Sequence, residues 1–509
     1  MTAATRNSRG DLRRRHPRGL RRLRLGGPTV TLVVGVDSST QSCKVLVRDA
    51  DTGALVRQAT APHPDGTEVD PQAWWDALHA ALTDADVAWD SAGDVAALSV
   101  GGQQHGMVAL DAEGEVVRPA LLWNDTRSAE AARALTRELG DSEDAGRRAW
   151  VDACGSALVA AFTVAKLRWL ADHEPEAAAR VAAVVLPHDW LTWKLSGSTD
   201  LHDLTTDRSE ASGTGYWDPV GGDYRYDLLS LALRRDVTAD DVALPRVAAP
   251  FEVVGRTPGG IALGPGCGDN AGAALGLHLG VGDAMVSLGT SGVVAAVTCA
   301  PAGDVTGTVT GFADGSGRYL PLACTLNASR VLDAARRLLG VDHAEFDRLA
   351  LAAEPGAGGL VHVPYLEGER TPDLPDATGS LFGMTLASTT RENLARAAVE
   401  GLLYHLGECV DAVRGLGLPV ERATLVGGAV RSRAVVDLAS GCLGVPVAVP
   451  TPGEYVADGA ALQAATALAG ADRPLDWPLD APEPHDDPPQ DAVRERYRTH
   501  AARVARDPS

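Results

Sequence analysis

Two aspartates stand where a carboxylate could do chemistry. Asp37 ends the first apolar run of LVVGVDSSTQSCKVLV, residues 32–47, at the head of a turn built from small and polar residues. Asp269 follows the glycine-rich GPGCG, residues 264–268, and precedes a small-residue run that can begin a helix. A carboxylate at a helix start that faces a cleft can accept a proton from a hydroxyl. It can equally be a plain helix cap, and GPGCGDNAGAALG by itself favours the cap. Glycine and Ser/Thr turns bring backbone N–H groups and hydroxyls close to an anion. The turn after Asp37 has a counterpart roughly 250 residues on, in AMVSLGTSGVVAAV, residues 284–297. Either turn alone is an ordinary hairpin connection. Together they favour a phosphate site and suggest a duplicated fold whose two halves face each other across a cleft.

Two further stretches have the chemistry of a polar ligand site. GGQQHG, residues 101–106, directly follows the apolar run VAALSV. Amide and imidazole groups both donate and accept, as a polyhydroxylated ligand requires, although His105 in isolation reads as a satisfied turn histidine. LLWNDTR, residues 121–127, sets Trp123, Asn124, Asp125 and Arg127 behind an apolar run, where a structural Asp–Arg pair is an equally good reading.

These groups must be positioned by an α/β framework, because short β-rich runs alternate with helical patterns from Val30 onward. TLVVGV, CKVLVRD and VAALSVGG read as strands. DPQAWWDALHAALTDA reads as a helix capped by Asp70 with Pro71 in its first turn, and Trp74 and Trp75 as core anchors. A second helix, from Arg391 to about Arg414, is expected to open with a Thr389-x-x-Glu392 capping box and to face inward along Leu394, Ala398, Leu402, Leu406 and Val413. The Pro/Asp-rich segment RPLDWPLDAPEPHDDPPQD leads into a charged, helix-compatible tail to which no function is assigned.

Composition bounds the answer. With 509 residues, 45% apolar and 22% charged, the chain reads as a soluble globular protein of two large domains. It has no run of about 18 apolar residues that would span a bilayer. Seven cysteines without a CxxC pair read as reduced thiols of a cytoplasmic protein. The net charge of −21 conceals a basic head, since residues 1–28 carry nine arginines against one acid. The acidic remainder argues against nucleic acid or an anionic membrane as partner. The head could be a nucleic-acid arm or a twin-arginine signal. The expectation is a disordered extension, or translated sequence upstream of the true start, with no part in chemistry. No GxxxxGK[ST] loop, HRD or DFG set, HExxH or zinc ligand cluster occurs.

In order, GVDSSTQS, GGQQHG, LLWNDTR, FTVAKLRWLADHEP, GDNAGAALG, SLGTSG, PYLEGERTP, GSLFGM…ENLARAAVEG and LVGGAVRS resemble the FGGY family of carbohydrate kinases, from about Val33 to about Leu468. The resemblance implies a duplicated actin-like ATPase fold of the ribonuclease H-like type, with two domains around a central cleft. The corresponding boundaries are a basic extension at 1–29, an N-terminal domain at 30–279, a C-terminal domain at 280–472 and a tail at 473–509. It implies ATP-dependent phosphorylation of a small sugar with Mg²⁺. GQxHG with WND is more similar to the D-xylulose-phosphorylating members than to the glycerol or gluconate kinases. Another ketose or polyol, such as ribulose or arabinitol, is the alternative substrate, and a non-catalytic sugar sensor the alternative class. A homodimer is compatible with it.

By position, the resemblance makes Asp269 the general base and Asp37 the acid that holds Mg²⁺ through water. It makes Gln104, His105, Trp123, Asn124, Asp125 and Asn270 the sugar-binding set. Ser39, Thr40, Gly289 and Thr290 fall in the phosphate loops, and Gly427, Gly428 and Ser432 in the adenosine loop. Ser39 stands where many members have glycine, Ala429 replaces the third glycine of the adenosine loop, Ala161 replaces another common glycine, and Gln104 a methionine of some members. None of these changes removes a charge or a proposed donor, so they bear on nucleotide geometry and not on the reaction.

Overall fold

The computed structural model describes residues 30–479 and 482–507; the basic head lies outside the described residues. The chain opens with a β-meander, β1 (Leu32–Ser38), β2 (Ser42–Asp49) and β3 (Leu55–Pro62). Helix α1 (Pro71–Asp84) follows, with the Asp70 carboxylate accepting from Gln72 N–H and Pro71 in the first turn. Trp74 is fully buried, while Trp75 is half-buried and packs edge-on against Trp89. Strand β4 (Val95–Gly102) then enters beside β1 and parallel to it.

The chain next leaves the sheet through α2 (Ala129–Glu138), α3 (Glu143–Cys154), α4 (Thr163–His173) and the single turn α5 (Arg208–Ala211). It returns as β5 (Gly255–Arg256), β6 (Ala262–Leu263) and β7 (Cys267–Gly268), and runs directly into α6 (Asp269–Gly276). The first seven-stranded sheet has the order β5-β6-β4-β1-β2-β3, with β7 also paired to β4.

The second half repeats the scheme. Strands β8 (Asp283–Leu288) and β9 (Gly292–Ala296) form the antiparallel hairpin, followed by β10 (Thr310–Ala313) and β11 (Tyr319–Thr325). The long helix α7 (Arg391–Gly415) precedes β12 (Arg422–Val426), which lies parallel to β8 as β4 does to β1. Thr390, not Thr389, caps α7, accepting from Asn393 N–H. The Thr389 hydroxyl instead donates to the Thr385 carbonyl at 2.7 Å. Ala398, Leu402, Leu406 and Val413 are buried on its inner face, and Leu394 partly so. After α8 (Arg433–Leu443) and β13 (Val447–Val449) comes α9 (Tyr455–Ala469). Strand β14 (Glu483–His485) and α10 (Asp491–Arg506) complete the tail. The second sheet reads β10-β11-β9-β8-β12-β13-β14. Among the described residues no helix is long and apolar enough to cross a membrane, and all seven cysteines are unpaired.

Helix α9 belongs to the second half by sequence but packs on β1, β4 and α6 of the first. The fit depends on missing side chains. A Cβ on Gly35 of β1 would stand 1.9 Å from the Ala457 carbonyl oxygen, and one on Gly459 1.9 Å from that of Gly272. Such contacts leave no room for a methyl group. Gln463 of α9 is fully buried, accepts from the Ser99 hydroxyl at 2.5 Å, and donates to the Gly266 and Pro250 carbonyls at 2.9 and 3.1 Å. The last helix of the family-like region thereby holds the loop that leads into Asp269.

Candidate active site

Three strands of the first sheet end at one level. In register, Asp37 lies between Lys44 of β2 and Gly101 of β4, and Gly101 faces Cys267 of β7. One residue on, Ser38, Gly102 and Gly268 are neighbours in the same way. The carboxyl ends of β1, β4 and β7 therefore deliver Asp37, Gln103-Gln104-His105 and Asp269 to one edge, where open α/β sheets bind their ligands.

Asp269 is the first residue of α6, and the cap position belongs to Gly268, which offers no side chain. The carboxylate is thus not consumed as a cap. Its Oδ1 accepts from Asn270 N–H at 2.7 Å and Asn270 Nδ2 at 2.9 Å, and Nδ2 also reaches Gln104 Oε1 at 3.3 Å. Desolvation first, and the Asp37 charge among the further causes, raise its pKa to about 7. A carboxyl poised there can hold or release a proton near neutral pH. Asp37 is buried and accepts from the Ser39 hydroxyl, with Lys44 Nζ 3.5 Å away and itself bonded to Glu454 at 2.6 Å. Burial outweighs these partners and raises the Asp37 pKa as well.

Gln104 and His105 rest on a floor formed by residues 207–214. Gln104 Nε2 donates to the Ser209 carbonyl at 3.4 Å, and the Ser209 hydroxyl accepts from Gly268 N–H at 2.9 Å. His105 Nδ1 lies 2.7 Å from the Gly213 carbonyl, and its ring centroid is 5.2 Å from that of Phe162 and 5.5 Å from that of Phe312. Burial first, then the Lys166 charge, push the His105 pKa down to about 3. The neutral ring must carry its proton on Nδ1 to bond the Gly213 oxygen, which leaves Nε2 as an acceptor for a ligand hydroxyl. Glu210, fully buried on this floor, is driven well above the carboxylate range by burial and by Asp189, Asp207 and Asp269. Its surroundings thus favour the protonated form.

The remaining candidates divide. Trp123 is 38% exposed and donates from Nε1 to the Thr40 hydroxyl at 2.9 Å, so it ties the 121–127 loop to the turn after Asp37. Asn124 is exposed. Asp125 is buried and bonded to Thr67 Oγ1 at 2.8 Å and to Arg127 N and Nε at 3.0 and 2.9 Å, the structural pair. In the second half, Gly289 and exposed Thr290 form the β8–β9 turn. Gly427 follows β12 at φ 96°, and a Cβ there would come within 2.8 Å of the Leu288 carbonyl group at the end of β8. Gly428 is open, with no atom within 4 Å of an added Cβ. The Ser432 hydroxyl accepts from Val435 N–H at 3.2 Å as the cap of α8 and donates to Asp347 at 2.5 Å.

Sequence reasoning did not single out Ser209, Gly213, Glu210 or Lys166. Lys166 is fully buried on α4, donates to the Ala161 carbonyl, and has its pKa lowered to about 7 by burial against the opposing pull of Asp125. A lysine in the apolar register of FTVAKL was the available sign.

The family model described as the FGGY family of carbohydrate kinases, N-terminal domain, matches residues 32–277, and that of the C-terminal domain matches 284–468. The chain belongs to the FGGY family of carbohydrate kinases. It is 47% identical over 454 residues to a protein named xylulose kinase from Streptomyces coelicolor, covering 87% of this chain and 89% of that one. It is 32% identical over 419 residues to one of the same name from Escherichia coli, covering 79% and 82%. Among solved structures, the xylulose kinase from Bifidobacterium adolescentis superimposes with a TM-score of 0.87 at 47% identity, over 92% of this chain and 99% of that one. The duplicated halves are thus an actin-like ATPase fold, and the chain is a sugar kinase that moves a phosphoryl group from ATP to a sugar hydroxyl.

Proposed function

We propose that this kinase phosphorylates D-xylulose at its 5-hydroxyl, with the N-terminal half at 30–279 binding sugar, the C-terminal half at 280–472 binding adenosine, and the tail at 473–509 outside the chemistry. The observation that carries the reading is Asp269, a base with a pKa near 7, joined through Asn270 to Gln104 and standing where β7 ends beside β1 and β4. Its carboxylate takes the proton from the attacking hydroxyl. His105 Nε2 and the amides of Gln104 and Asn270 orient the sugar. The names of the 47%-identical relatives support D-xylulose as substrate.

A magnesium ion fits the residues present. Asp37 and Asp269 oppose each other electrostatically, and Lys44, 3.5 Å from Asp37, is shared with Glu454 at 2.6 Å. A hydrated cation beside Asp37 would relieve that repulsion. Among the described residues no three His, Cys, Asp or Glu side chains cluster as a cage, so Asp37 would hold such an ion through its waters, as Mg²⁺ prefers. When bound, the ion supplies charge neutralisation on the phosphates. The backbone of the turns at 39–41 and 289–291 cradles the polyphosphate, and approach of the halves excludes water. Holding sugar and phosphate in line is worth about 7–11 kcal/mol, more than the roughly 10²–10⁴-fold of a single base.

The test is ADP release measured over a panel of pentuloses, polyols and hexonates. D-Xylulose should give the highest kcat/KM. A higher value for ribulose or arabinitol would replace the substrate, and nucleotide binding without sugar-stimulated ADP release would make the protein a sensor.

A further inference from the structure

The floor beneath the sugar site is organised around one buried acid that the chemistry described so far does not use. Asp207, 2% exposed, caps the turn α5 and has both carboxylate oxygens engaged. Its Oδ2 accepts from Ser209 N–H at 2.8 Å and from the Ser209 hydroxyl at 2.7 Å. Its Oδ1 accepts from Glu210 N–H at 3.1 Å and lies 3.3 Å from His188 Nε2. His188 is fully buried and fills the space between two of the strand ends that build the site. A Cβ on Gly102, the last residue of β4, would stand 3.0 Å from the His188 Cβ, and one on Gly266, just before β7, 2.5 Å from its Nδ1.

Ser209 is where this acid meets the reacting groups. It is fully buried, and its one hydroxyl proton goes to Asp207. The hydroxyl oxygen is left to accept, and it takes Gly268 N–H at 2.9 Å, one residue before Asp269. The carbonyl of the same serine takes Gln104 Nε2 at 3.4 Å. With Nε2 so directed, Gln104 turns Oε1 to Asn270 Nδ2 at 3.3 Å, and that nitrogen also donates to Asp269 Oδ1 at 2.9 Å. The bonds close a ring that runs Ser209, Gly268, Asp269, Asn270, Gln104 and back to Ser209. Inside it there is no slack, since a Cβ on Gly268 would stand 2.8 Å from Gln104 Cγ. A satisfied buried network selects one arrangement. Here it fixes the Asp269 carboxylate relative to the Gln104 amide.

We propose that Ser209, oriented by Asp207, is a positioning residue for the phosphoryl transfer, holding the base in register with the amide that binds the sugar. This rests on the roles of Asp269 and Gln104 proposed above. The experiment measures kcat and the KM values for sugar and ATP in Ser209→Ala and Asp207→Asn, each alone and combined with Asp269→Asn. It uses whichever sugar best stimulates wild-type ADP release. Ser209→Ala should lower kcat about 10- to 100-fold, the scale of a misplacement of roughly 1 Å, with both KM values within about threefold. Asp207→Asn keeps the shape and one acceptor, and should lose about 3- to 10-fold in the same parameter. In the Asp269→Asn background neither change should cost more than about twofold, because a group that acts through the base has nothing left to position. A loss of folding would persist in that background. Failure of the base reading shows in Asp269→Asn alone, as near-normal turnover, and failure of this inference shows in the double variants. A kcat for Ser209→Ala within about twofold of wild type overturns the proposal. So does an equal penalty with and without Asp269, which would make Ser209 a structural residue. A loss confined to the sugar KM overturns it as well, by limiting Ser209 to steering Gln104.

Discussion

On the proposed function, the two halves use one topological position for opposite purposes. In each, a hairpin strand is flanked by a parallel strand that ends at its level, β1 with β4 and β8 with β12. After β4 the chain reads Gly101-Gly102-Gln103-Gln104-His105, and after β12 it reads Gly427-Gly428-Ala429-Val430-Arg431. The first places buried amide and imidazole groups at the strand end, supported from beneath by the carbonyls of Ser209 and Gly213. The second presents open backbone, with Gly427 pressed on Leu288 and Gly428 uncovered. The hairpin turns differ likewise, since only the first carries a buried acid, Asp37. A sugar differs from its competitors by single hydroxyls, and rejecting them takes placed side chains. Phosphates and an adenosine need mainly backbone donors and room. Duplication supplied the scaffold, and the side chains at one strand end distinguish the two uses.

Removing the base should separate the halves most sharply. Asp269→Asn is expected to lose about two to four decades of ADP release while sugar titration stays near wild type; near-normal turnover would take the base role from Asp269. The pH dependence follows from the same group. A carboxyl raised to about 7 is fully in its proton-accepting form above that pH and loses it as the pH falls. Wild-type kcat/KM for sugar should therefore drop about tenfold per unit below pH 7, and the residual rate of the variant should not. Asp37→Ala comes next. Loss of its charge should cost roughly one to three decades in MgATP use with sugar affinity retained. Because Asp37 helps to raise the Asp269 pKa, the acid limb should move to lower pH. An unchanged Mg²⁺ dependence and an unmoved limb would detach Asp37 from both roles.

What could be read from the chain beforehand is what is local in it. The hairpins, β4 to its last residue, the Asp70 cap and the Asp125–Arg127 pair each lie within a few residues of sequence, where periodicity and turn chemistry act. The cap of α7 lies at Thr390, one residue beyond the expected Thr389, because the two threonines adjoin and both suit the position. Ser209 and Gly213 meet Gln104 and His105 across roughly a hundred residues, and Gln463 meets the Asp269 loop across about two hundred. No spacing rule reports such contacts, because each is set by how whole elements pack. The family likeness supplied the order of the motifs, but not the partners that hold them.

Ser432 gives the finest test of the contrast between the halves. The likeness assigns it to the adenosine loop, while its hydroxyl caps α8 and bonds Asp347. If the second half binds nucleotide by backbone and space, that hydroxyl is dispensable for binding and matters for folding. Ser432→Ala should then lower stability by about 1 kcal/mol, the usual worth of an N-cap, read as a small fall in thermal midpoint. The ATP KM should stay within about twofold. The opposite pattern, an unchanged midpoint with a tenfold higher ATP KM, would mean that the capping bonds give way to the ligand. The second half would then also recognise through side chains, and the division between the two strand ends would be one of degree.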